Sequence, residues 1–263
     1  MSYVEFLAAA EDAARTAGQI LQSWAGRFTV SEKGPADLVT EADVASQEAI
    51  HRILHERFPD HAFLGEEGLR SAPGGAEYRW IIDPLDGTSN YVHRFPYYAV
   101  SIGLQFRKEL IAGVIYDPTR DEMFAARRGA GATLDGRPIR VSRFDRLDRA
   151  MVIASFPPGV TADSLPIQRF LKVLPCAQTI HRSGSAALNL AYIAAGRLDA
   201  FWSTSLKAWD VAAGALLVTE AGGRITSMDG RPLDIEVPDL LGSNGTGIHE
   251  ELSALLSGNM AAG

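Results

Sequence analysis

Cysteine is almost absent from this 263-residue chain. The single copy, Cys176, excludes an intramolecular disulfide and any cysteine-rich zinc site, and a lone apolar-flanked thiol reads as inert packing. Long apolar runs are also missing, since no stretch approaches the ~18 residues that a membrane span requires. There is no excess of positive charge. Lys and Arg number 25 against 32 Asp and Glu, for a net charge of −7 and a pI near 5.4, which excludes nucleic acid and anionic membrane as expected partners. A signal-peptide pattern is lacking too: Glu5, Glu11 and Asp12 fall where it would be basic and then purely apolar. The cytoplasm is the expected compartment. What remains is an ordinary globular composition, 46% apolar and 22% charged, long enough to bury a substantial core.

Leu7, Ala10, Ala14, Ala17, Leu21 and Trp24 recur at alternating spacings of three and four, the period of an amphipathic helix. "SEKGPADLVT" breaks that pattern. A second helix is predicted after Thr40, where Thr40 and Asp43 match a capping box, and it runs to Phe58 before Pro59. Strands are predicted in "HAFLGEEG", "RWII", "YYAVSIGLQF", "ELIAGVIYD" and "EMFAARRG", then across the Asp135-Gly136 turn of "ATLDGRPIRV", giving a largely antiparallel meander. From Met151 strands and helices alternate. "SGSAALNLAYIAAG" and "WDVAAGALLVTEAGG" read as buried helices ended by Gly196 and Gly222. A boundary near residue 148 divides the chain into an N-terminal α+β half (1–148) and a C-terminal α/β half (149–263) with no flexible linker between them, so the halves should pack tightly.

The chemistry concentrates at acidic strand and helix tips. In "WIIDPLDGTSNYVHRFP" an apolar run meets Asp83, Pro84, Leu85 and Asp86. Pro84 cannot donate a ladder hydrogen bond, so the strand is predicted to end at Asp83. A continued strand would point Asp83 and Asp86 to opposite faces, whereas a turn can aim both carboxylates at one point. Gly87, Thr88 and Ser89 then offer backbone N–H groups suited to a phosphate, particularly if a helix starts there. Acids beside an anion site require cations. Glu66 and Glu67 end "LGEEG", and Asp210 opens the helix "WDVAAG". If Glu66, Asp83, Asp86 and Asp210 converge, their charges balance about two divalent cations, and a phosphate dianion leaves room for a third. All-oxygen ligation argues for Mg²⁺ over Zn²⁺. Taken singly, each residue also has a plain structural reading: Asp210 as a helix cap, Asp43 as the partner of Thr40, Glu67 as a solvated charge, His93 as a loop residue, and Asp83 and Asp86 as turn formers.

Together, "ADLVTEAD", "GEEG", "DPLDGTSNYVHRFP" and "WDVAAGALLVTEAGG" resemble the signatures of the inositol monophosphatase family, in the family's order and over most of the chain. The resemblance implies an α/β fold layered α/β/α/β/α, with an antiparallel sheet in the first half and a mixed sheet in the second. It also implies Mg²⁺-dependent phosphomonoester hydrolysis, lithium sensitivity and a homodimer. By the same resemblance Glu66, Asp83 and the Leu85 carbonyl match the ligands of a first metal, and Asp83, Asp86 and Asp210 those of a second. Thr88 and Asp43, with Glu66, match the catalytic set around the attacking water. The backbone of Gly87 and Thr88 matches the phosphate cradle, Lys33 a loop that covers the site, and Gly184, Ser185, Ala186 and Asp210 the surroundings of the substrate.

Many members that act on inositol phosphate carry a Glu seven residues before the "WD" aspartate; here that position is Ser203, which lacks the charge to grip ring hydroxyls. The leading expectation is a Mg²⁺-dependent phosphatase of an inositol, sugar or polyol phosphate, acting by activated water with no covalent intermediate. Histidinol phosphate, fructose 1,6-bisphosphate and 3′-phosphoadenosine phosphates are the alternative substrates. An aspartyl-phosphate mechanism calls for D-x-D rather than the D-x-x-D of Asp83 and Asp86, and a non-catalytic metal- or phosphate-binding regulator would be marked by a missing ligand.

Overall fold

The computed structural model describes residues 3–34, 37–237 and 239–257. Helix α1 (Tyr3–Trp24) buries Phe6, Ala9, Ala10, Ala13, Ala14, Ala17 and Leu21, a stripe of mostly small side chains that brings the helix close to its neighbours. Helix α2 (Glu41–Arg57) lies beside it. Between them runs an antiparallel hairpin, β1 (Val30–Gly34) and β2 (Asp37–Thr40), where the sequence showed only a break. "VSEKG" and "DLVT" lack the apolar alternation that marks a half-buried strand.

The first sheet has eight strands: β3 (Ala62–Gly65), β4 (Arg70–Ser71), β5 (Tyr78–Asp86), β6 (Ala99–Phe106), β7 (Glu109–Asp117), β8 (Glu122–Arg127), β9 (Gly131–Leu134) and β10 (Arg137–Ile139). Their order is β10-β9-β8-β7-β6-β5-β3-β4, antiparallel except for the parallel pair β3 and β5. Two hairpins turn on left-handed pairs, Arg107-Lys108 at φ 47° and 74° and Asp135-Gly136 at 49° and 73°, the backbone that matches strand twist. The second sheet is mixed, with β11 (Met151–Ser155), β12 (Thr179–His181), β13 (Ala200–Ser203), β14 (Arg224–Ser227) and β15 (Leu240–Ser243) in the order β12-β11-β13-β15-β14. The chain passes from one sheet to the other between Ile139 and Met151.

Five layers result. Helices α1 and α2 cover one face of the first sheet around Phe6, Leu21, Ile50, Trp80 and Ile102. Helices α5 (Ala186–Ala194) and α6 (Ala208–Glu220) form the middle layer, with Leu188, Ala213 and Leu217 packed on Ile115 and Phe124 of the first sheet. On the opposite side, Leu190 and Val211 meet Ile153 and Phe201 of the second sheet. Helices α4 (Leu165–Val173) and α7 (Gly247–Ser257) close the outer face around Val152, Trp202 and Leu252.

Strand β5 departs from expectation in a way that matters. It does not end at Asp83 but continues to Asp86, with Asp83 opposite Ser101 and Asp86 opposite Ala99 on β6. Three steps on one strand against two on the other make a β-bulge at Pro84-Leu85. The proline's missing N–H falls inside the bulge, where no ladder bond is required.

Helix α6 reaches the sheet through two glycines that face each other across β6 and β7, Gly103 and Gly113. A Cβ on Gly103 would stand 2.8 Å from the Ala212 Cβ, and one on Gly113 would stand 2.9 Å from the Ala213 Cα and carbonyl oxygen. The clash at Gly113 is with backbone, which cannot rotate away. Gly113→Ala should therefore lower unfolding stability by about 1–3 kcal/mol, read as a drop in the denaturation midpoint. An unchanged midpoint would show that α6 does not seat on these strands as described.

Candidate active site

The β5 bulge achieves what a terminal turn was expected to do. Carboxylate oxygens of Asp83, Asp86 and Asp210 all lie within 4.8 Å of one another, although in an unbroken strand Asp83 and Asp86 would diverge. Asp210 is the third residue of α6 and accepts the Lys207 N–H at 2.6 Å, a bond across the helix start. Asp86 sits at the start of α5, where it accepts from the Ser185 hydroxyl (2.5 Å) and from the N–H groups of Ala186 (3.2 Å) and Ala187 (2.7 Å). Helix starts favour negative charge. Asp83 accepts the Leu85 N–H at 3.0 Å.

A cavity of about 550 Å³ opens beside this cluster, lined in part by Glu66, Asp86, Gly87, Thr88, Gly184, Ser185, Ala186 and Asp210. Helix α3 (Thr88–Val92) starts on its wall, with Gly87 as N-cap at φ 103°. A Cβ on Gly87 would press to 3.1 Å from the Tyr97 carbonyl oxygen and 3.3 Å from that of Gly184, so only glycine fits this left-handed, crowded corner. Asn90 staples the same corner by donating to the carbonyls of Tyr97 (2.7 Å) and Ser183 (2.8 Å).

Asp43, Asp83 and Leu85 stand behind the cavity wall rather than on it. The Thr88 hydroxyl donates to Asp43 Oδ1 or to the Leu85 carbonyl, each at 3.2 Å. The other oxygen of Asp43 accepts the Thr40 N–H at 2.9 Å, so the capping-box pairing and the link to Thr88 occupy one carboxylate. Two buried neighbours on α2 were not anticipated. Ser46 donates to the Pro84 carbonyl (2.9 Å) and pins the bulge, and Gln47 bonds both the N–H (2.9 Å) and the carbonyl (3.0 Å) of Glu67. A polar residue on the apolar face of a helix next to a capping box was the available signal.

Ser203 is fully buried in the interior strand β13, between Ser155 of β11 and Leu240 of β15, and is not among the residues that line the cavity. Lys33 falls on β1, and its side chain lies outside the described residues.

Two buried acids and one half-buried acid this close hold their protons more tightly than free carboxylates do. Burial, then the charges of Glu66, Asp86 and Asp210, hold Asp83 well above the usual carboxylate range. Burial lifts Asp86 to about 6 against the hydrogen bonds from Ser185, Ala187 and Ala186. Burial and the Asp86 charge lift Asp210 to about 8. Oxygen-only donors in want of positive charge fit hard divalent cations.

For each raised acid the folded protein holds a proton that the unfolded chain releases near pH 4, so this contribution to stability falls as pH rises from there to the folded-state pKa. Asp210→Asn, assayed without metal, should thus gain stability relative to the parent between about pH 4 and 8. The gain should reach on the order of a few kcal/mol and level off above that range. Denaturation of both proteins across pH tests this, and a pH-independent difference would contradict the electrostatic account. Asn retains the bond to the Lys207 N–H, which keeps the helix start out of the comparison.

The family model described as the inositol monophosphatase family matches residues 2–261. A Pseudomonas aeruginosa protein named Nus factor SuhB is 42% identical over 240 residues, spanning 88% of this chain and 89% of that protein. The inositol-1-monophosphatase of Synechocystis sp. is 40% identical over 255 residues, spanning 96% and 88%. Among solved structures, the extragenic suppressor protein suhB from Bartonella henselae superposes with a TM-score of 0.92 at 37% identity, covering 97% of this chain and all 100% of that one. The inositol monophosphatase from Anabaena superposes at 0.87 with 38% identity, covering 97% and 96%. The chain belongs to the inositol monophosphatase family, and as a member it is a phosphatase.

Proposed function

We propose that this protein hydrolyses a small phosphomonoester, an inositol, sugar or polyol phosphate, with Mg²⁺ as its cation. The observation that carries the reading is the triad Asp83, Asp86 and Asp210, its carboxylates within 4.8 Å beside a cavity sized for a small ligand. These three, with Glu66 on the cavity wall and the Leu85 carbonyl behind it, would hold the ions. Bound there, divalent cations supply Lewis-acid neutralisation of phosphoryl charge and acidify the attacking water.

The chain's own residues then do the rest. The first N–H groups of the Gly87-Thr88 segment receive phosphate oxygens at the start of α3. Thr88 Oγ1 donates toward Asp43 Oδ1 and keeps its lone pairs for a proton from water. Burial raises the proton affinity of Asp43, so its Oδ1 can take the Thr88 proton as the hydroxyl accepts one from the nucleophile. Water attacks phosphorus directly as the bond to the ester oxygen breaks, the leaving oxygen takes a proton from solvent and departs as the alcohol, and no residue becomes phosphorylated. Gly184, Ser185 and Ala186 border the leaving group. A cytoplasmic homodimer inhibited by millimolar Li⁺ accords with the family resemblance.

Asp83→Asn, Asp86→Asn and Asp210→Asn should each cut Mg²⁺-dependent turnover by on the order of 10³-fold or more, because the cations carry several kcal/mol of transition-state stabilisation. Circular dichroism should stay native. Steady-state assays over a phosphomonoester panel measure this, and near-parental activity in any of the three removes that residue from the metal set.

A further inference from the structure

Helix α2 carries a second set of metal-binding side chains, away from the acids. His51 and His55 stand four residues apart in "HRILH", a spacing that puts both on one face of the helix. Their rings lie 5.4 Å apart, centre to centre, with planes 17° from parallel. Both meet the buried ring of Phe63 on β3 at steep angles, His51 at 4.7 Å and His55 at 6.1 Å. His51 is half-buried and His55 exposed, and among the described residues neither imidazole has a hydrogen-bond or ion-pair partner. Burial, then the charge of His55, lowers the proton affinity of His51, which favours the neutral ring that a metal requires. At the helical rise per residue the pair begins about 12 Å beyond Asp43 and ends about 18 Å beyond it, so it is separate from the active site.

We propose that His51 and His55 form a surface site for one borderline divalent transition cation, of the Zn²⁺, Ni²⁺ and Cu²⁺ class, distinct from the hard-ion site of the carboxylates. Imidazole nitrogens suit these ions, whereas oxygen-only donors suit Mg²⁺. With metal–nitrogen bonds of about 2.0–2.1 Å, two imidazoles on one tetrahedral ion place their ring centres roughly 5 Å apart. The observed 5.4 Å is close to that. Phe63 holds the first ring in place, and rotation of the exposed His55 brings the second nitrogen onto the ion. Hydrolytic zinc sites of this spacing carry a general-base Glu directly after the first His; here that residue is Arg52. No third protein ligand stands with the pair, since the single group of three among the described residues is Asp83, Asp86 and Asp210. Water completes the coordination, and the role is structural. An ion that bridges His51 and His55 ties successive turns of α2 together and favours the folded chain over the unfolded one.

The test uses the full chain without an affinity tag, held in excess Mg²⁺ and titrated with Zn²⁺ in a calorimeter. A parallel titration with Cu²⁺ is followed by electron paramagnetic resonance, which counts coordinating imidazole nitrogens. The parent should bind one Zn²⁺ that His55→Gln weakens by about tenfold or more, because a single imidazole loses the chelate. The Cu²⁺ spectrum should show two imidazole nitrogens in the parent and one in the variant. The denaturation midpoint should rise with Zn²⁺ in the parent and much less in His55→Gln. His55 is exposed, so this variant keeps its fold, and its Mg²⁺-dependent turnover should match the parent's. His51→Gln should repeat the loss of binding. Zn²⁺ held by the carboxylates is common to parent and variant and cancels in the comparison. Zn²⁺ affinity unchanged in His55→Gln, or a parental Cu²⁺ spectrum with fewer than two imidazole nitrogens, would overturn the assignment.

Discussion

Like charges packed out of water are the constraint to which the rest of this molecule answers. Asp83, Asp86 and Asp210 bring three carboxylates within 4.8 Å, and among the described residues no lysine or arginine forms an ion pair with them. The fold compensates only with dipoles: three donors at the start of α5 for Asp86, the Lys207 N–H for Asp210 and the Leu85 N–H for Asp83. Hydrogen bonds of this kind orient a carboxylate and soften its burial, but they bring no net charge. The remaining deficit gives the cluster its affinity for hard cations.

Holding those groups in place falls to one turn of α2. Asp43, Ser46 and Gln47 are all buried, and each reaches a different loop: Thr88 at the start of α3, the Pro84 carbonyl in the bulge, and the backbone of Glu67 after β3. A Cβ on Gly65 would fall 2.3 Å from the Gln47 amide oxygen, so a larger residue there would push the Gln47 side chain off the Glu67 backbone. Buried polar side chains that satisfy backbone groups rigidify what they touch. The helix is thus a rear support for three segments of the site at once.

Much of this was legible in the chain. The three–four spacing of α1, the Thr40–Asp43 cap, the Asp135-Gly136 turn and the glycines after α5 and α6 are local signals, and local signals survive in a single sequence. Strands β1, β2, β4 and β12 were not legible, because short polar strands carry no alternation and form only when a partner is present. Pro84 misled for a related reason. Its missing N–H argues correctly against a ladder bond, but whether a strand stops or bulges is decided by β6, which lies beyond any local window. The depth of Ser203 was not legible either, because a position in register with a family motif says nothing of how deep strand β13 runs. Ser46 and Gln47 were passed over because their partners lie 38 and 20 residues away.

The bond between Asp86 and the first turn of α5 has a consequence in time. It joins residues about 100 positions apart, and Asp210 arrives later still, on α6. During synthesis the N-terminal sheet emerges with Asp83 and Asp86 already in sequence but with neither helix start available to receive them. Contacts that close such long loops form late. An emerging chain therefore carries a strand that ends on acid, and the three carboxylates can converge only once α5 and α6 lie between the sheets. The acidic cluster in this architecture is thus a product of completed folding and not its seed.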